Sequence, residues 1–140
     1  MRRGERGLAL STEAAVVLPA LVLFLGLLFS LARYAMAEQD VGSAAGSSAR
    51  AASLERSAPA AARAAEEAAS LALGEHNVAC LSTEVRADVA AVARALGERG
   101  QVHVTVTCRV SLADITLPFI PGSLTVTATR SSPVDPLRGR

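Results

Sequence analysis

The chain has 140 residues, with 13 acidic residues, 14 arginines, no lysine and a formal net charge of +1. This length leaves room for one small domain plus an anchor, and the near-zero charge gives no electrostatic support for a nucleic-acid role. Outside the apolar N-terminal run, Tyr34 and Phe119 are the only aromatic residues. A domain with so few large side chains buries little apolar area, so its stability requires a covalent cross-link, a partner or the membrane.

The first predicted element is an apolar helix from Ala14 to Ala32, a run without a charged residue. Such a helix would be about 28 Å long, close to the roughly 30 Å of a bilayer core. Residues 1–13 hold three arginines, whereas Arg33 on the far flank is followed by Glu38 and Asp40. The positive-inside rule therefore predicts a single-pass protein of the cell membrane, with residues 1–13 cytoplasmic and the C-terminal domain extracellular.

Residues 33–74 are predicted to form Ala-rich helices, because Ala is the strongest helix former. Pro59 interrupts this stretch. Since Ser57 can cap a helix and Pro suits a first turn, a second helix is expected to begin there. Gly42 and Gly46 either weaken the first segment or let another element approach it closely.

Residues 75–130 are predicted to form a small disulfide-linked α+β head. The spacing predicts a strand, a helix and two alternating strands, over residues 78–85, 88–96, 102–112 and 124–129. Pro118, Pro121 and Gly122 predict a loop before the last strand, and residues 131–140 are expected to be a flexible tail. The predicted fold class is α+β: a long N-terminal transmembrane helix, an Ala-rich helical segment and a small antiparallel sheet.

Both cysteines, Cys80 and Cys108, follow the apolar run. That placement favours a disulfide in an oxidising compartment, and two buried free thiols in a cytosolic protein are the alternative. Because Cys108 lies on the apolar face of a predicted strand, we expect a bridge that ties the sheet to the helical part. Such a bridge would stabilise the head by roughly 3–4 kcal/mol.

Two residues of the membrane run could carry function. Glu13 stands at its edge, where an acid is costly unless paired; the alternative is an acid in a first helical turn, stabilised by the helix dipole. Pro19 is either a tolerated kink or a bend that adjusts packing between subunits.

The segment from Arg6-Gly7 through Glu13 to Pro19, followed by Ala-Leu-Val-Leu-Phe-Leu, resembles the N-terminus of TadE-like proteins. These are minor pilins, or pseudopilins, of the tight-adherence (Tad) pilus system. The C-terminal part resembles the actinobacterial members of that family. The residues that carry this second resemblance are Val104–Asp114, Leu117-Pro118, Pro121-Gly122-Ser123 and Pro133-Val-Asp-Pro136.

The resemblance implies assembly rather than catalysis. In type IV pilin-like proteins a peptidase cuts after a Gly, and a Glu shortly afterwards guides subunit registry. Carried over, Gly7 would precede the cut, Glu13 would be the registry acid and Pro19 would belong to the same assembly segment. A cut after Gly7 makes Glu13 the sixth residue, whereas the usual pattern has Glu fifth. The implied partners are Tad pilins and the pilus-assembly machinery.

The main rival reading starts from the Ala-x-Ala site at Ala35-Met36-Ala37. Residues 1–37 would then be a cleaved signal peptide, and the remainder a secreted, disulfide-bonded binding domain. Against it, the apolar run exceeds the usual signal core of roughly 7–15 residues. A signal peptide would also leave the pattern of Glu13 followed six residues later by Pro19 unexplained.

The remaining motifs point away from chemistry. The apolar residues of the last loop either cover the sheet or the helix end, or contact a partner subunit. These residues are Ile115, Leu117, Phe119 and Ile120. The two histidines, His76 and His103, have no metal-binding spacing, and the chain has no nucleophile elbow and no phosphate-binding loop. We therefore expect no enzyme activity, no cofactor, no metal and no small-molecule substrate.

Overall fold

The computed structural model describes the backbone of residues 4–95, 97–115 and 121–136, and the side chains of residues 14–95, 97–114 and 121–136. The fold is α+β, as predicted. The helices are α1 (Gly4–Leu54), α2 (Ala58–Glu75) and the short α3 (Leu112–Ile115). The strands are β1 (Cys80–Asp88), β2 (Gly100–Ser111) and β3 (Ser123–Val134), with a 3-10 turn at Ala90–Ala93.

Helix α1 is continuous over 51 residues, which corresponds to about 76 Å. It continues through Pro19, although proline removes one backbone donor from a helix interior. One face of its C-terminal part is buried, and the residues on that face are Val41, Gly42, Ala44, Ala45, Ser48, Ala49, Ala52 and Ser53. These side chains are mostly small, so neighbouring elements can approach the helix axis closely.

Helix α2 begins where the sequence predicts. Ser57 is its N-cap, and the Ser57 hydroxyl accepts a hydrogen bond from the backbone N–H of Ala60. Pro59 lies in the first turn, where a missing N–H costs nothing. An alanine face of α2 packs against α1, and its members are Ala61, Ala65, Ala69 and Ala72.

The three strands form an antiparallel sheet in the order β1-β2-β3. Alternate β2 residues point inward and are buried, from Val102 to Val110, which confirms the predicted period of two. Helix α1 covers β2 and β3, whereas α2 contacts β1. The opposite face is polar, and two threonine pairs hydrogen-bond across it: Thr105 with Thr129 and Thr107 with Thr127.

The predicted helix over residues 88–96 is wrong. The chain forms only the 3-10 turn Ala90–Ala93, because β1 extends to Asp88, which pairs with His103. The Asp88 carboxylate also accepts a hydrogen bond from the Ala90 N–H and starts the turn. A similar extension occurs at the other end of the sheet. Strand β3 continues to Val134, which pairs with Gly100, so residues 131–134 belong to the sheet and not to a tail.

The Cys80–Cys108 disulfide is present, as predicted. It does not tie the sheet to the helices, because Cys80 begins β1 and Cys108 lies in β2, its paired neighbour. The strand register shifts between Cys80 and Ser82, directly beside the bridge. The disulfide therefore fixes the edge strand to the central strand at the point where their pairing is irregular.

Candidate assembly surfaces of the long helix

The N-terminal part of α1 is apolar and uncovered. None of its side chains between Ala14 and Met36 is buried, and Phe29 is 72% exposed. The structure has one helix long and apolar enough to cross a membrane among the described residues, and it is this one. An apolar surface of this size requires lipid or a partner, although a signal sequence near an N-terminus has the same composition.

One polar group in this apolar stretch is satisfied locally. The Ser30 hydroxyl donates a hydrogen bond of 2.9 Å to the carbonyl oxygen of Gly26, four residues earlier. No atom lies within 4 Å of a Cβ built on Gly26, so this side of the helix is open. Ser30 therefore needs no partner in an apolar environment.

Glu13, Pro19 and Gly7 all lie in the backbone of α1. The Glu13 side chain lies outside the described residues, as does the exposure of Gly7, whereas Pro19 is exposed. Six residues separate Glu13 from Pro19, which is about 9 Å along a helix. The structure therefore places the three predicted residues on one continuous element, and it describes no contact that tests the role of Glu13.

A group of polar residues, which we call the collar, lies on one side of α1 where the helix enters the head. Nη1 of Arg33 donates a hydrogen bond to the carbonyl oxygen of Asp114 in α3. About two turns further along α1, Oδ1 of Asp40 lies 3.5 Å from Nδ1 of His76. These four residues line a cavity of about 210 Å³. The collar holds α3 beside the first charged residue after the apolar run.

The collar bears on the predicted apolar contact loop. Ile115 ends α3 directly after Asp114, but its side chain lies outside the described residues. Leu117, Phe119 and Ile120 lie wholly outside them. Sequence reasoning did not find the Arg33–Asp114 contact. The only sequence signal is that Arg33 is the first charge after the run, and that signal does not identify a partner 81 residues away.

A second concave surface lies between α1 and the outer edge of β3. Its volume is about 470 Å³, and its lining includes Gly42, Gly46, Arg50 and Arg130. We call it the α1/β3 groove. A Cβ built on Gly42 would lie 3.0 Å from Nη2 of Arg130, whereas one on Gly46 would meet nothing within 4 Å. Gly42 thus leaves the space that the Arg130 guanidinium occupies.

These features define a class of protein: a small α+β head carried on a long helix whose N-terminal part is apolar and uncovered. Among the described residues no group of three or more His, Cys, Asp or Glu side chains could hold a metal ion.

Residues 9–50 match the family model described as TadE-like protein. The matched segment lies entirely within α1 and includes both the uncovered apolar part and most of the part buried in the head. It supports the resemblance at the N-terminus, whereas the C-terminal resemblance lies outside it. The curated proteins and the solved structures gave no match.

Proposed function

We propose that this chain is a minor pilin or pilus-assembly subunit of a Tad-type secretion system, of the actinobacterial type, without catalytic activity. Residues 14–32 hold it in the cell membrane, with the N-terminus cytoplasmic and the head extracellular. The observation that carries the proposal is the continuity of α1, which is uncovered and apolar at one end and buried in the head at the other. The TadE-like match spans both parts.

This continuity suggests how the subunit works. No flexible linker separates the apolar part of α1 from the head, and the Arg33–Asp114 hydrogen bond braces the junction. Packing of apolar helices in the membrane therefore sets the positions of the heads outside it. Glu13 supplies registry with a neighbouring subunit, and Pro19 adjusts the packing of the same segment. The partners are Tad pilins and the pilus-assembly machinery.

A secreted binding domain remains the second candidate, and one observation favours it. A cut after Ala37 would leave the buried face of α1 intact, because that face begins at Val41. The observation against it is that Ala35-Met36-Ala37 lies inside an unbroken helix. The cut would also remove Arg33, and with it the brace to Asp114.

The test is complementation of a strain that lacks the native gene. The wild-type chain and Glu5→Gln should restore surface pili, because Glu5 lies eight residues before Glu13 and away from the edge of the apolar run. Glu13→Gln should restore them at least about tenfold less well, the effect of losing about 1.4 kcal/mol of pairing energy. Normal pili in the deletion strain, or full complementation by Glu13→Gln at equal expression, would contradict the proposal.

A further inference from the structure

The α1/β3 groove lies along a free edge of the sheet. Strands β1 and β3 are the two edges of the sheet that the described residues form. The outer edge of β3 therefore presents backbone groups without a strand partner among those residues. Unprotected edges pair indiscriminately with other chains, so folded proteins commonly protect them with charged residues.

Arg130 is the charged residue on this edge. It pairs with the buried Val104, at a register position that faces inward, yet its side chain is exposed. The guanidinium lies over Gly42 and reaches the groove. Arg50 of α1 lines the same groove, and none of the described residues that line it is acidic. A partner that enters the groove must therefore bring negative charge.

The opposite side of the head carries that charge. Helix α2 contacts β1, at the edge of the sheet away from β3. Glu66 and Glu67 are exposed on α2, and we call this surface the α2 acidic side. Arg63, about one turn earlier, is exposed too, and its Nε donates a hydrogen bond to the carbonyl oxygen of Pro59. Glu84 of β1 is exposed as well, but its carboxylate is already paired with Arg86 at 2.7 Å. The head thus has a cationic groove beside β3 and an excess of negative charge on α2, which holds three glutamates and one arginine.

We propose that the α1/β3 groove binds the α2 acidic side of a second copy of this chain. The proposal rests on the proposed function for one element, the shared membrane orientation. Chains anchored in the same direction present their heads side by side in the same orientation, so one head can meet the next through opposite edges. A symmetric groove-to-groove contact would bring the arginines of both copies together, which like-charge repulsion disfavours.

The contact is heterologous, because two different surfaces of the chain meet. Such a contact leaves one groove and one acidic side free at the ends of every assembly, so it can propagate into a chain of subunits. A symmetric contact would stop at a dimer. This difference gives the test its readout.

The test uses two neutralised variants of the full-length chain in lipid vesicles, with self-association measured by energy transfer between labelled copies. The groove variant is Arg50→Gln/Arg130→Gln, and the acidic-side variant is Glu66→Gln/Glu67→Gln. Each variant alone should associate at least about tenfold more weakly than the wild type. An equimolar mixture should regain association but stop at pairs, because each chain retains one intact surface. Arg109→Gln, which removes an exposed arginine elsewhere on the sheet, should associate as the wild type does.

Three results would overturn the proposal. The wild type could stay monomeric at high surface density, either variant could associate as the wild type does, or the mixture could fail to recover. Unfolding curves for each variant establish that the head is folded. Because the assay uses the purified chain, its result does not depend on pilus assembly. Failed complementation would contradict the proposed function without affecting the association result, and failed association would contradict the groove contact without affecting the pilus assay.

Discussion

Loss of the Cys80–Cys108 disulfide should lower the free energy of unfolding of the sheet, and the length of the loop that the bridge closes gives the size of the effect. The two cysteines are 28 residues apart in sequence. In the chain-entropy model a loop of that length corresponds to about 3.6 kcal/mol at 25 °C. Cys80→Ala is the best perturbation, because Cys80 is only half-buried whereas Cys108 is fully buried. The substitution breaks the bridge and leaves the packing around Cys108 in place.

Hydrogen exchange of the full-length chain in detergent micelles measures the effect. Amides of β2 that exchange only when the sheet opens should exchange roughly 400-fold faster in Cys80→Ala, since each 1.36 kcal/mol is a factor of ten. Ser82→Ala, at an exposed position of the same strand, should change exchange little. If β2 amides in Cys80→Ala exchanged within threefold of the wild-type rate, the disulfide would not stabilise the sheet.

Four further substitutions test the packing of the head. Gly46→Ala should stabilise the chain by about 0.5–1 kcal/mol, because alanine has the higher helix propensity and the added methyl group meets open space. Gly42→Ala should stabilise it less, because the Arg130 side chain must move. Equal urea midpoints for the two variants would contradict the contact between Gly42 and Arg130. Ser57→Ala should cost about 0.5–1 kcal/mol, seen as faster exchange in the first turn of α2, and unchanged exchange there would show that the cap contributes nothing. Val104→Ala should cost about 2 kcal/mol in urea unfolding, since Val104 is fully buried, and a cost below about 0.5 kcal/mol would mean that the core collapses around the gap.

Sequence patterns correctly predicted the helices and strands whose formation depends on residues close together in the chain. The alternation around Val104 predicted β2 because one face of the sheet is buried and the other is wet. Ser57 and Pro59 predicted the start of α2, because capping and the fixed φ of proline act within one turn. The apolar run predicted the uncovered part of α1 in the same way. None of these needs information from elsewhere in the chain.

The predictions failed where contacts between residues far apart in sequence determine the local structure. The spacing of Val89 and Val92 fits a helix, but pairing of Asp88 with His103 leaves room for only one 3-10 turn. The groove and the collar depend on the same kind of information. Contacts such as Gly42 with Arg130 join residues far apart in sequence, so no spacing rule within a window can find them.

The proposed function requires that α1 stays intact from the membrane into the head. Intact-mass analysis of the chain in membrane and culture-medium fractions tests it most directly, because residues 14–37 are either retained or lost. We expect a carbonate-resistant membrane form that retains Ala14 through Ala37, whether or not the first seven residues are removed. A form that begins at Glu38 and is released to the medium would contradict it.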